Sequence, residues 1–197
     1  MKRIMKSCVV LAFLLGLPAS SALPQVPLPQ AQVPLAQAKK PEPGKIFDDW
    51  IINCEPQLDK SSKCFATQFQ YTTQSGQRIT TPQPIMELGK MYSLSIGYLG
   101  PRGELQVVAF LPLNIDIPAG APMKLDPGPT VPMSIVACIQ EGCRATATLD
   151  AAAQRAITDA KGMTISIVPY VVTGDKPAAM LLTVSTRGLA PALASLK

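Results

Sequence analysis

Cys54 and Cys64, and again Cys138 and Cys143, stand close together in the chain, each pair bracketing a turn-like segment. The first segment is Glu55-Pro56-Gln57-Leu58-Asp59-Lys60-Ser61-Ser62-Lys63 and the second is Ile139-Gln140-Glu141-Gly142. Four cysteines allow three pairings. The local one, Cys54 with Cys64 and Cys138 with Cys143, is expected because each bond then pins a hairpin without long-range strain. Each would close a short loop and contribute about 2–3 kcal/mol on the chain-entropy estimate. Structural zinc usually takes cysteines two to four residues apart, which the first pair is not, and redox pairs are usually C-x-x-C. No metal or other cofactor is expected, and the four cysteines are read as structural disulfide positions.

Disulfides need an oxidising compartment, and the start of the chain points to one. Lys2, Arg3 and Lys6 precede an apolar run from Val9 to Leu17, which Pro18-Ala19-Ser20-Ser21-Ala22 ends with small residues. This is the layout of a secretory signal peptide cleaved after Ala22. The run is far shorter than the roughly 20 residues that span a bilayer, so no transmembrane anchor is expected after cleavage. Cys8 precedes the apolar run and should leave with the leader. The expected location is periplasmic, or secreted and at the outer surface.

Residues 23–45 are rich in Pro and Gln and contain a near-repeat, Gln25-Val26-Pro27-Leu28-Pro29-Gln30-Ala31 and Gln32-Val33-Pro34-Leu35-Ala36-Gln37-Ala38. Closely spaced prolines fix φ and remove donors, so a disordered spacer is expected here. The remainder, 46–197, is the right size for one domain. Of the 18 basic and 13 acidic residues of the chain, 12 of each lie from Ile46 onward, so the domain is neutral overall. No basic cluster is present to neutralise phosphates, and nucleic acid is set aside as a partner.

The domain reads as mainly β. Short β-prone runs occur at Trp50–Cys54, Cys64–Tyr71, Tyr92–Tyr98, Met133–Cys138, Cys143–Leu149, Met163–Val172 and Ala179–Thr186. Leu105–Leu111 is apolar except at Gln106, the pattern of a buried strand. Turn signals such as Gly100-Pro101-Arg102-Gly103 and Asp126-Pro127-Gly128-Pro129 separate most of them, which favours a sandwich or barrel. Asp150 can cap one short helix over Ala151–Ala160, with Lys161-Gly162 as its stop. A second helical turn or two is expected near the end, with Pro191 near its start and Leu189, Leu193 and Leu196 on one face. Both helices read as lids over a sheet edge or core end.

Catalytic groups are scarce. The chain has no histidine, which removes Ser–His–Asp and Cys–His catalysis. Asp48 and Asp49 are adjacent and on a strand would face opposite ways. Asp116 and Asp126 flank turns and are expected to bond backbone amides. Met86, Met91, Met123, Met133, Met163 and Met180 lack close spacing and read as core filling. Trp50 reads as a core plug beside the first disulfide.

With these residues located, the chain resembles the invasion-associated locus B family of exported bacterial proteins. The resemblance is carried by Asp49-Trp50-x3-Cys54, Cys64, Leu111-Pro112-Leu113 with Ala119-Gly120, Asp126, Cys138-x3-Gly142-Cys143-Arg144-Ala145 and Ser185-x2-Gly188-Leu189-x2-Ala192-Leu193. Asn114 stands where this family would place a glycine. The resemblance implies an immunoglobulin-like β-sandwich with one short helix and a short C-terminal helix, in the periplasm or at the cell surface. It carries no catalytic residues over. The expected function is therefore a non-catalytic binding protein of the envelope, with an envelope or host-surface protein as partner and a possible place in host-cell invasion. The alternative is a periplasmic small-molecule carrier or a carboxylate-dependent hydrolase, whose pocket would lie near Asp116 or Asp126.

Overall fold

The computed structural model describes residues 41–197 apart from 74, 76, 86–88 and 172–176. The expected leader, and the expected spacer as far as residue 40, lie outside the described residues. Pro41–Lys45, assigned to the spacer by composition, form a turn joined to the first long strand through Gly44 N–H to Ile52 O and Ile52 N–H to Lys45 O.

Among the described residues twelve strands build two sheets. β1 (Ile46–Phe47), β2 (Trp50–Pro56), β3 (Ser62–Thr72), β4 (Arg78–Thr81), β5 (Gly89–Gly97), β6 (Gln106–Leu111), β9 (Ser134–Ile139) and β10 (Gly142–Thr148) form the larger one. Its order is β1-β2-β3-β5-β6-β10-β9, with β4 added beside β3. The smaller sheet has the order β12-β11-β7-β8, from β7 (Met123–Asp126), β8 (Thr130–Val131), β11 (Gly162–Ile167) and β12 (Met180–Val184). The inner faces meet in one core: Trp50, Ile52, Tyr92, Leu94, Ile96, Val107 and Ala145 from the larger sheet, and Met123, Leu125, Ile165 and Leu182 from the smaller. In β6, β7 and β11 every second residue is buried, as a pleated layer covered on one side requires. The architecture is a β-sandwich.

Two helices close it. α1 (Ala151–Asp159) starts at Asp150, whose carboxylate accepts from Ala153 N–H at 2.7 Å, and buries Ala153 and Ile157. It does not end on a left-handed glycine: Ala160 is already extended, and Gly162 opens β11. α2 (Leu189–Ala194) buries Leu189, Ala192 and Leu193 and packs on α1, β1, β2 and β3.

Several details depart from the sequence expectation. Four short strands, β1, β4, β7 and β8, are not among those expected; β1 and β8 have two residues each, and β7, though only four residues long, alternates buried and exposed. The run expected to reach Val172 ends as β11 at Ile167; beyond it, Pro169 makes an isolated bridge to Ile115. The apolar run of β6 is buried on one face only. Val107, Ala109 and Leu111 lie in the core, while Val108 and Phe110 are half-buried on the opposite face. Asn114 has φ +61, the left-handed conformation that asparagine tolerates better than most residues, so it can do what a glycine would do at that turn. Met123, Met133 and Met163 are core residues; Met86 and the side chain of Met91 lie outside the description.

Candidate functional site

The inner face of β3 carries two buried glutamines, Gln68 and Gln70. An unpaired amide in that setting would cost about 1–3 kcal/mol. Both are spent on the edge of the other sheet. Gln68 Nε2 donates to Ser185 O at 2.8 Å, and Ser185 N–H returns a bond to Gln68 Oε1 at 3.1 Å. Trp50 Nε1 donates to the same carbonyl at 3.1 Å. Two residues earlier, Thr183 O accepts from Gln70 Nε2 at 3.0 Å and from the Tyr92 hydroxyl. Two earlier again, Leu181 O accepts from Arg78 at 3.2 Å. Alternate carbonyls along β12 are thus occupied by side chains where a further strand would otherwise bond. Gln70 Oε1 has no partner among the described residues. Burial pushes the Tyr92 phenol well above the ordinary tyrosine range.

The same corner explains two stretches of the resemblance. Asp49 accepts from Ser185 Oγ at 2.5 Å and from Arg187 through two bonds, at 2.8 and 3.1 Å. The Asp-Trp start and the Ser-x2-Gly end therefore form one latch between the beginning and end of the domain. Asp48 lies in the preceding turn with φ +48.

On its outer face the larger sheet carries a groove of about 680 Å³, within the range of ligand-binding clefts. Phe65, Val108 and Phe110 form its apolar floor and Ser93 and Ser95 its polar strip. It runs diagonally across the sheet. Glu55, Gln57, Lys63 and Leu99 lie at one end; Ile139, Glu141 and Arg144 lie at the other. Two glycines make room for the aromatic floor. A Cβ at Gly97 would come within 2.5 Å of Phe65 Cβ, and one at Gly142 (φ +146) within 2.8 Å of the Phe110 ring.

The four predicted cysteines brace this sheet. Cys54 is bonded to Cys64 and Cys138 to Cys143, each joining directly opposed residues of neighbouring strands. Each is next in sequence to groove residues: Glu55 and Lys63 for the first bond, Ile139 and Arg144 for the second. Because side chains alternate along a strand, the cysteines sit on the reverse face, one bond under each end of the groove. Lys63 is the cross-strand partner of Glu55, yet its ammonium turns away to Leu99 O and Gly100 O at 3.0 and 3.3 Å. Glu55, Glu141 and Arg144 have no ion pair among the described residues.

The groove can hold a chain segment by apolar contact and ion pairing. Its two carboxylates are unsuited to joint acid–base work: β2 and β10 are four strand spacings apart, about 19 Å. Asp116 and Asp126 are not brought together either. Asp116 N–H bonds Val168 O beyond one end of β11, and Asp126 pairs with Gly162 at the other, a span of about 20 Å. Asp116 does line an open cleft of about 430 Å³ with Pro169 and Tyr170. Among the described residues no group of three or more His, Cys, Asp or Glu could hold a metal ion, and no helix is long and apolar enough to cross a membrane. Sequence reading missed Gln68, Gln70 and the groove. The one available signal was the doubly apolar run of β6.

Comparison with known proteins places this geometry. The family model described as invasion associated locus B (IalB) protein matches residues 50–197. An invasion protein B homologue of Brucella abortus strain 2308 is 25% identical over 144 residues, covering 73% of this chain and 74% of its own. The homologue from Brucella abortus biovar 1 strain 9-941 matches to the same extent. The crystal structure of invasion associated protein B from Bartonella henselae superposes with a TM-score of 0.58 at 19% identity, over 75% of this chain and 90% of that one. At that identity the superposition speaks for the β-sandwich, and the matched family model for kinship: the chain belongs to the invasion-associated locus B family.

Proposed function

We propose that this is an exported, non-catalytic binding protein of the bacterial envelope, and that the groove on the outer face of the larger sheet is where it holds its partner. The observation that carries this reading is the groove itself. It has an aromatic floor made possible by two glycines, three charged side chains without an ion pair among the described residues, and a disulfide under each end. A rigid floor lowers the ordering cost of binding, and charges left open at the ends can select a partner. The family's association with invasion, carried in the names of its Brucella and Bartonella members, supports a protein partner in the envelope or on a host surface.

The test is photo-crosslinking in living cells, with the crosslinking residue placed at Val108 in the groove or at Thr158 on exposed α1. A discrete adduct from position 108 and none from 158 is the expected result. Equal labelling at both positions, or none at 108, would overturn the reading. Intact mass of the recovered protein, with and without reduction, checks export in the same samples: a mass starting at Leu23 with four blocked thiols is expected.

A further inference from the structure

The loop between β2 and β3 is built to present one side chain. Leu58 is fully exposed, at 109% of its reference area. Single exposed aliphatic residues are ordinary on protein surfaces. What sets this one apart is the bracing around it. Gln57 N–H bonds Ser61 O at 2.8 Å, and Lys60 N–H bonds Gln57 O at 3.0 Å. Asp59 accepts from the N–H and hydroxyl of Ser61 at 2.9 and 2.6 Å, bonds that hold its carboxyl below the usual range. The Cys54–Cys64 bond closes the stem. A tip ordered in advance loses little freedom on docking, and Gln57, the residue before Leu58, already lines the groove.

We propose that this surface associates with a second copy of the chain, each copy placing its Leu58 loop on the far end of the other's groove. Three observations carry it. Knob and groove belong to one continuous patch, with the loop at one end of the diagonal and Glu141 and Arg144 at the other. A two-fold axis lying across the middle of that diagonal brings each loop onto the opposite corner of its partner, twice, in a closed isologous contact. The charges match: the loop carries ionised Asp59 and Lys60, and the far corner carries Arg144 and Glu141, with no ion pair among the described residues. The corner also offers Ile139, 56% exposed, to receive the leucine. The inference rests on the groove being the binding surface and names one occupant of it.

The test is sedimentation of the full mature protein from low to high micromolar concentration. A concentration-dependent dimer is expected, and Leu58→Asp should leave only monomer. Lys60→Glu and Glu141→Lys should each weaken association up to about 30-fold, because the two-fold contact loses a rim ion pair at both of its ends, and the double variant should recover it. All three positions are exposed, so at a concentration where the parent is monomeric the urea midpoint of each variant should stay at that of the parent. A monomer at every concentration, a dimer that survives Leu58→Asp, or a double variant no better than its parents would overturn the dimer. Groove-specific crosslinks to a different protein in the same cells would keep the binding reading alive after such a result, and their absence would end both.

Discussion

β12 and β9 each close off a sheet, and they treat an exposed row of backbone groups in opposite ways. Along β12 and at the residue that follows it, the carbonyls of Leu181, Thr183 and Ser185 are taken up by Arg78, by Gln70 with Tyr92, and by Gln68 with Trp50. β9 is exposed along nearly its whole length and carries no charge; Val136 and Ile139 are each 56% exposed. Two devices limit it. The register against β10 slips beside Arg144, leaving Val136 without a partner, a bulge of the kind that discourages strand addition. The disulfide to Cys143 then fixes the strand on its inner neighbour. One edge is sealed from inside by buried amides, the other is held by a covalent bond and kept irregular. The sealed edge therefore depends on hydrogen bonds and the open one on a crosslink.

That contrast can be broken at either edge. Gln68→Ala should have the largest effect. It strands the Ser185 N–H and removes packed atoms, costing about 3 kcal/mol in urea unfolding; a loss below about 1 kcal/mol would mean that the amides do not hold the edge. Next is the open edge. Replacing Cys138 and Cys143 together by Ser should cost about 2 kcal/mol, the loop-closure value for so short a loop. Hydrogen exchange should quicken in β9 while β12 keeps its protection. Tyr92→Phe removes one of two donors to Thr183 O and should cost about 1 kcal/mol at neutral pH. Its pH dependence sharpens the point. The Tyr92 phenol is raised by burial above its unfolded value near 10, so the unfolded chain releases its proton first. The contribution of Tyr92 is intact below about pH 10 and declines as pH rises above it. Tyr92→Phe should flatten that alkaline decline, and an unchanged slope would count against the buried phenol. The smallest effect belongs to Val136→Lys, within about 0.5 kcal/mol, because that side chain is mostly in water.

Much of this architecture was readable in the chain. The cysteine spacing marked two hairpins, Asp150 marked a helix start, and the leucines after Gly188 marked the last helix. What could not be read was direction. In Phe65-Ala66-Thr67-Gln68-Phe69-Gln70 the alternation identifies a strand, but the polar set faces the interior and the phenylalanines face out. Local pattern cannot report this, because the acceptors that make burial of Gln68 and Gln70 favourable lie more than a hundred residues away on β12. The groove was hidden for a related reason. A run apolar on both faces reads as doubly buried, and only the assembled sheet shows that Val108 and Phe110 are half-buried on its outer face.

The latch joining Asp49 and Trp50 to Ser185 and Arg187 spans 135–138 residues. A chain emerging from the ribosome carries Trp50 early and must wait for a segment 135 residues later before that indole finds its acceptor and Gln68 its amide. Contacts so far apart in sequence form late and slowly, so a growing or C-terminally shortened chain cannot complete this domain. The domain is thereby timed: it becomes fully native only once the segment around Ser185 has joined it.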